Sequence, residues 1–224
     1  MVVLSHFNRN LSTKRILGGK GLMQALLLQR IMIQKWSILF AVLICTIISY
    51  MEIPFLDNPA IVIFAAVFSA SIVEGIYKDD QKVNWELFVN SLPLTRKTQL
   101  QADFLYCHGI VMLLFVVIAP AYFSQTAADN NFPEHFAMYF AYISSASLLI
   151  SIQFYIHHLE KRMRYFRMII AIFLIFTINF PIHYYLSQIA ENLIIMLIPT
   201  LISILISNFI LRQSHTLYLA REVF

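Results

Sequence analysis

Residues 104–123 read FLYCHGIVMLLFVVIAPAYF, a run of twenty positions without a single Asp, Glu, Lys or Arg. A helix of roughly 20 apolar residues rises about 30 Å, the thickness of the hydrocarbon layer of a bilayer. Five further stretches have the same character, at about 36–51, 59–77, 135–156, 168–186 and 192–211. Their apolar residues fall on all sides, as in IVIFAAVF, whereas a membrane β-strand alternates apolar and polar positions. The expected fold is therefore all-α, a polytopic membrane protein of six transmembrane helices. Composition agrees. The 224 residues are 59% hydrophobic and only 12% charged, against about 25% charged in soluble domains, and mean hydropathy is +0.72. A soluble globular domain lacks the polar coat it would need. Cys45 and Cys107 both fall in apolar stretches and read as small buried hydrophobes rather than a disulfide framework.

Orientation follows from the Lys and Arg residues, which collect on the cytoplasmic side of membrane helices. All sixteen in the chain lie before the first span, in the second and fourth loops, or after the sixth span. The outer loops carry only acidic charge: Glu52, Asp57, Asp129, Glu134 and Glu191. Both termini are expected in the cytoplasm. The +4 net charge is thus a topology signal, and nucleic acid is not expected as a partner. The organisation expected is a polar tail at 1–19, one transmembrane domain at 20–211 and a cytoplasmic tail at 212–224. No cleavable signal peptide is expected, because residues 1–20 lack an apolar core.

Two segments outside the spans are patterned. In residues 20–35, Lys20, Gln24, Arg30, Gln34 and Lys35 fall within an arc of about 140° at 100° per residue. Such a basic amphipathic helix ahead of a span is expected to lie in the cytoplasmic headgroup layer, as an elbow. The cytoplasmic loop at 78–103 is the longest connection between spans. Asp79 and Asp80 suit a helix start, and Trp85, Phe88, Val89 and Leu92 recur at i, i+3, i+4 and i+7. Pro93 ends that helix, and Thr95 is placed to cap a new one running through Arg96 and Gln99 into the third span. This helix either lies on the lipid surface or docks into a groove of another protein. Trp, Phe and Arg are the residue types that dominate interface energetics.

The pattern resembles the permease subunits of ABC-2-type exporters, including small exporters of peptides and toxins such as the phenol-soluble-modulin exporters of Gram-positive bacteria. The carrying residues are Glu74 near the end of the second span, then Lys78-Asp79-Asp80, Trp85-Glu86-Leu87 and Ser91-Leu92-Pro93-Leu94-Thr95-Arg96. The resemblance implies that the loop is a coupling helix contacting an ATPase subunit, a role that falls on Glu74, Trp85, Glu86, Phe88, Leu92, Pro93, Thr95 and Arg96. It further implies a second permease, ATP and Mg bound by the ATPase, and a location in the bacterial plasma membrane. Substrates are expected to be apolar or amphipathic, since the spans offer few charges.

This chain itself is expected to bind no cofactor and not to be an enzyme. Gly18-Gly19-Lys20-Gly21 lacks the leading glycine and the hydroxyl of a G-x-x-x-x-G-K-[ST] phosphate loop. Serine-hydrolase, aspartyl-protease and H-E-x-x-H signatures are missing as well. His108 and His183 fall at different depths and cannot share a metal, and His157 and His158 point about 100° apart. Polar residues inside spans are Ser144, Ser145, Ser147, Ser151, Gln153 and Asn179. Small hydroxyl residues commonly let helices approach closely; the alternative is a weakly polar substrate path through Ser144, Ser147, Ser151 and Asn179. Pro120 and Pro199 are expected to bend their spans. A membrane sensor, immunity factor or assembly partner without transport activity stays open as an alternative.

Overall fold

The computed structural model describes residues 19–50, 58–85, 95–126, 131–159, 163–189 and 192–220. Among them are seven helices and no strand: α1 Gly19–Tyr50, α2 Asn58–Lys82, α3 Arg96–Thr126, α4 Phe132–His158, α5 Arg164–Ile189, α6 Leu193–Met196 and α7 Ile198–Ala220. In hydrocarbon every backbone N–H and C=O must be paired within the chain, which leaves helices as the open solution for such sequences. Among the described residues, five helical segments are long and apolar enough to cross a membrane. Helix α2 covers the second expected span.

Helix α4 sits at the centre, packed on α2, α3, α5 and α7, and α1 lies mainly against α3. Every residue from Ala141 to Ser147 is buried. By contrast α5 buries only Ile175, Asn179 and His183, one narrow seam at i, i+4 and i+8. Helix α7 buries Thr200, Ser203, Ser207 and Ser214 along a similar seam. The faces turned outward are apolar: Trp36 is 71% exposed, Phe173 68% and Leu205 69%. Polar seams inside and large apolar residues outside are the arrangement of a bundle whose solvent is lipid. At the outer end Tyr122, Phe123, Phe132, Phe136 and Tyr139 form one aromatic cluster between α3 and α4, where interfacial aromatics belong.

Several boundaries differ from the sequence expectation. The elbow segment is helical, but it runs into the first span without a break as the 32-residue α1. At 1.5 Å per residue this is about 48 Å, longer than the hydrocarbon core, so α1 is long enough to extend beyond it. Asp79 and Asp80 do not start a helix. They lie in the last turns of α2, which ends at Lys82. Asn84 follows with a left-handed φ of 49° and its N–H donates to the Gln81 carbonyl at 3.3 Å, the type of terminus that Asn tolerates. Pro199 does not bend the sixth span, because α7 starts at Ile198 and a proline in the first turn removes no helical hydrogen bond. The short α6, opened by the Asn192 side chain accepting from the Ile194 N–H, stands before it. Helix α7 also continues through Arg212 to Ala220, into the segment expected as tail.

With Cys45 and Cys107 replaced by Ala, Asn131→Cys is expected to react with a membrane-impermeant maleimide on intact cells. Lys97→Cys is expected to react only after the membrane is opened. Equal labelling of both in intact cells refutes the topology.

Candidate functional site at the cytoplasmic end

Three helices meet at Arg30. Its position in α1 brings it level with Asp80, in the last turns of α2, and Asp103, in the second turn of α3. The Arg30 Nη1 and Nη2 donate to the two oxygens of Asp80 at 2.5 and 2.7 Å. Nε and Nη2 donate to the two oxygens of Asp103 at 2.7 and 3.2 Å. Each carboxylate is held by a two-pronged contact, the geometry for which a planar guanidinium is suited. All three residues are buried, at 5%, 8% and 5% exposure. The Trp85 ring closes this cluster, with the Arg30 guanidinium carbon 5.8 Å from its centroid. Trp85 is itself buried against Leu26 and Ala102, beside Met23 and Leu27.

A second tie joins the remaining inner ends. The Arg96 Nη1 donates to the Tyr218 carbonyl at 3.0 Å, and its guanidinium lies 5.4 Å from the Tyr218 ring. Tyr218 Oη donates to Gln99 Oε1 at 3.1 Å, while its ring stacks on His158. His158 Nε2 lies 3.2 Å from Tyr77 Oη. Helices α2, α3, α4 and α7 are thus linked through Tyr77, His158, Tyr218, Gln99 and Arg96. Thr95 caps α3 as its position suggested, accepting from the Thr98 N–H at 3.2 Å.

The sequence-derived coupling residues divide accordingly. Trp85, Thr95 and Arg96 stand on either side of the 86–94 segment, and each is engaged with its own bundle. The Trp85 ring in particular is turned into the chain and not outward. Glu74 lies on the exposed face of α2, paired with Lys78 at 2.8 Å. Glu86, Phe88, Leu92 and Pro93 lie outside the described residues. The amphipathic arc of 20–35 is split: Arg30 and Gln34 face the bundle, Gln34 accepting from Tyr106 Oη at 2.8 Å, whereas Gln24 and Lys35 are exposed. The apolar Leu28, Met32 and Ile33 are exposed.

The serines and Asn179 come together in the interior. Asn179 Nδ2 donates to the Ala141 carbonyl, Ser144 Oγ and Ser145 Oγ at 2.6 to 2.9 Å. Ser147 Oγ lies 3.1 Å from His108 Nε2 and 3.2 Å from Ser207 Oγ, joining α3, α4 and α7. Ser151 donates back to the Ser147 carbonyl at 2.9 Å. His183 bridges the Asn179 carbonyl and Thr200 Oγ1 at 2.9 and 3.1 Å. Among the described residues no group of three His, Cys, Asp or Glu could hold a metal ion.

The sequence placed Arg30 in an amphipathic arc and Asp80 at a helix start, but did not bring them together with Asp103. A signal was available: all three stand at the inner boundary of their spans, and opposite charges at one depth in a chain this poor in charge can be expected to pair.

Paired charges at the inner end, polar seams within and apolar faces outside define a multi-pass helical membrane protein. The chain belongs to the ABC-2 family of transporter proteins, whose sequence model matches residues 25–218, a range that contains both inner-end clusters. It is accordingly a permease, the transmembrane component of an ABC-type transporter. No curated protein and no solved structure matches it.

Removing Arg30 leaves two buried carboxylates facing each other without a cation. Arg30→Ala is expected to destabilise the protein by about 3–5 kcal/mol, read as a lowered melting temperature in detergent. Asp80→Ala is expected to cost less, because Asp103 still holds both prongs of the guanidinium. The reverse order would show that Asp103 alone does not hold the guanidinium.

Proposed function

We propose that this chain is the permease of an ABC exporter in a bacterial plasma membrane. It pairs with a second permease, a copy or a relative, and a separate ATPase subunit that binds ATP and Mg drives the pair. The observation that carries the reading is the family match over residues 25–218, joined to a cytoplasmic loop whose two ends are clamped onto the bundle.

The segment between those clamps is the docking element. Glu86, Phe88, Leu92 and Pro93 meet the ATPase, while Trp85 fixes the loop to α1 and α3, and Thr95 and Arg96 fix it to α3 and α7. Closure of the ATPase pair on ATP moves the loop and, with it, the inner ends of these helices. Glu74 lies on the same lever, on α2. The path opens where α4 parts from its neighbours, along Ser144, Ser147, Ser151 and Asn179. Hydroxyls and one amide offer hydrogen bonds but no countercharge, which suits an apolar or amphipathic substrate such as a short peptide better than an ion or a sugar.

Purification from native membranes in mild detergent tests this directly. A protein with nucleotide-binding motifs is expected to co-elute and to hydrolyse ATP. Arg96→Glu and Trp85→Ala are each expected to lower the ATP hydrolysis of the complex several-fold while the chain stays in the membrane, a coupling effect of about 1–3 kcal/mol. A chain that purifies alone, or variants with unchanged hydrolysis, would overturn the assignment and favour a membrane protein without transport activity.

A further inference from the structure

Nothing in a docking loop at 86–94 requires the cluster behind it to be ionic. A buried salt bridge is seldom worth more than apolar residues of the same volume, and replacing such a triad with hydrophobic side chains is often neutral or stabilising. This chain nevertheless places three of its few charges in one buried contact. The contact has two properties that an apolar one would lack. First, it draws on three helices and ends under Trp85, the residue at the start of the loop. Second, Nη2 is shared: it reaches Asp80 at 2.7 Å and Asp103 at 3.2 Å, so the guanidinium can slide toward one carboxylate without leaving the other.

Beyond Arg30, α1 meets the bundle through Gln34, which accepts from Tyr106, through the half-buried Ile38, Val42 and Ile48, and through small buried residues. Its buried positions beyond Arg30 are Ala41, Cys45 and Ser49, all small, and its outward face carries Trp36, Phe40 and Leu43. A displacement of Arg30 therefore moves α1 more readily than it would move α4, which is buried along most of its length.

We infer that Arg30, held between Asp80 and Asp103, is a coupling residue, which passes motion of the loop through Trp85 to α1. It makes α1 a moving part of the transport cycle, alongside α2 and α3. Arg30 acts through its partners and is a positioning residue. The inference rests on the permease reading above and adds to it a route that the loop alone does not supply.

The test compares the wild-type complex with the triple variant Arg30→Met/Asp80→Leu/Asp103→Leu, both purified with the co-eluting ATPase. The expected result is a triple variant that melts at or above the wild-type temperature and retains the ATPase in the same ratio. Its nucleotide hydrolysis, relative to the isolated ATPase subunit, is expected to fall by about tenfold. Arg30→Lys, which keeps the charge and loses the fork, is expected to fall between the two. A stable triple variant with wild-type hydrolysis would overturn the coupling role and leave the cluster structural. If the triple variant does not fold, Arg30→Lys decides alone: wild-type hydrolysis by that variant overturns the role, and a several-fold loss at an unchanged melting temperature supports it. A wild-type chain that brings down no ATPase would overturn the permease reading, and this inference with it.

Discussion

Hydrocarbon offers no hydrogen bonds, so a polar group carried into it must find its partner on another part of the same chain. The bundle is organised by that constraint. Asn179 spends its amide hydrogens on α4, His183 lies between α5 and α7, and His108 reaches through Ser147 to Ser207. Each of these three side chains fixes a neighbour and its register, whereas apolar residues, as content against lipid as against protein, fix neither. The charged residues follow the same rule at the inner end, where Arg30 is surrounded on two sides by carboxylate and on a third by indole.

The fold was largely legible because its signals are statements about depth. Length and composition of apolar runs specify an all-helical polytopic membrane protein without any knowledge of packing. The ends of helices were less legible, since hydropathy marks where the chain enters hydrocarbon and not where its helix stops. Hence α1 extends back through the elbow, α2 forward through Asp79 and Asp80, and α7 on to Ala220.

The site was half legible. Thr95 as a cap follows from local chemistry, and it stands as read. That Arg30 and Gln34 face the bundle does not follow from an amphipathic arc, because the arc gives a direction only relative to the helix itself. Which side of it meets protein depends on Asp80, Asp103 and Tyr106, which come from other helices. Trp85 illustrates the same limit. Its residue type suggests an outward anchor, but Leu26 and Ala102 supply a pocket within the chain, and the left-handed turn at Asn84 precedes it.

Helix α5 offers a last consequence. With only Ile175, Asn179 and His183 fully buried, much of its surface stays exposed to lipid. Its attachment therefore rests on a few hydrogen bonds, each worth about 1 kcal/mol or less in a membrane, and on the contact of Phe176 and Phe180 with the core beside Tyr142. Such a helix is committed to the membrane long before it is committed to its neighbours. During biogenesis it can be inserted stably and find α4 afterwards, with the amide of Asn179 serving as the key that recognises Ala141, Ser144 and Ser145 and fixes the depth at which the two helices lock.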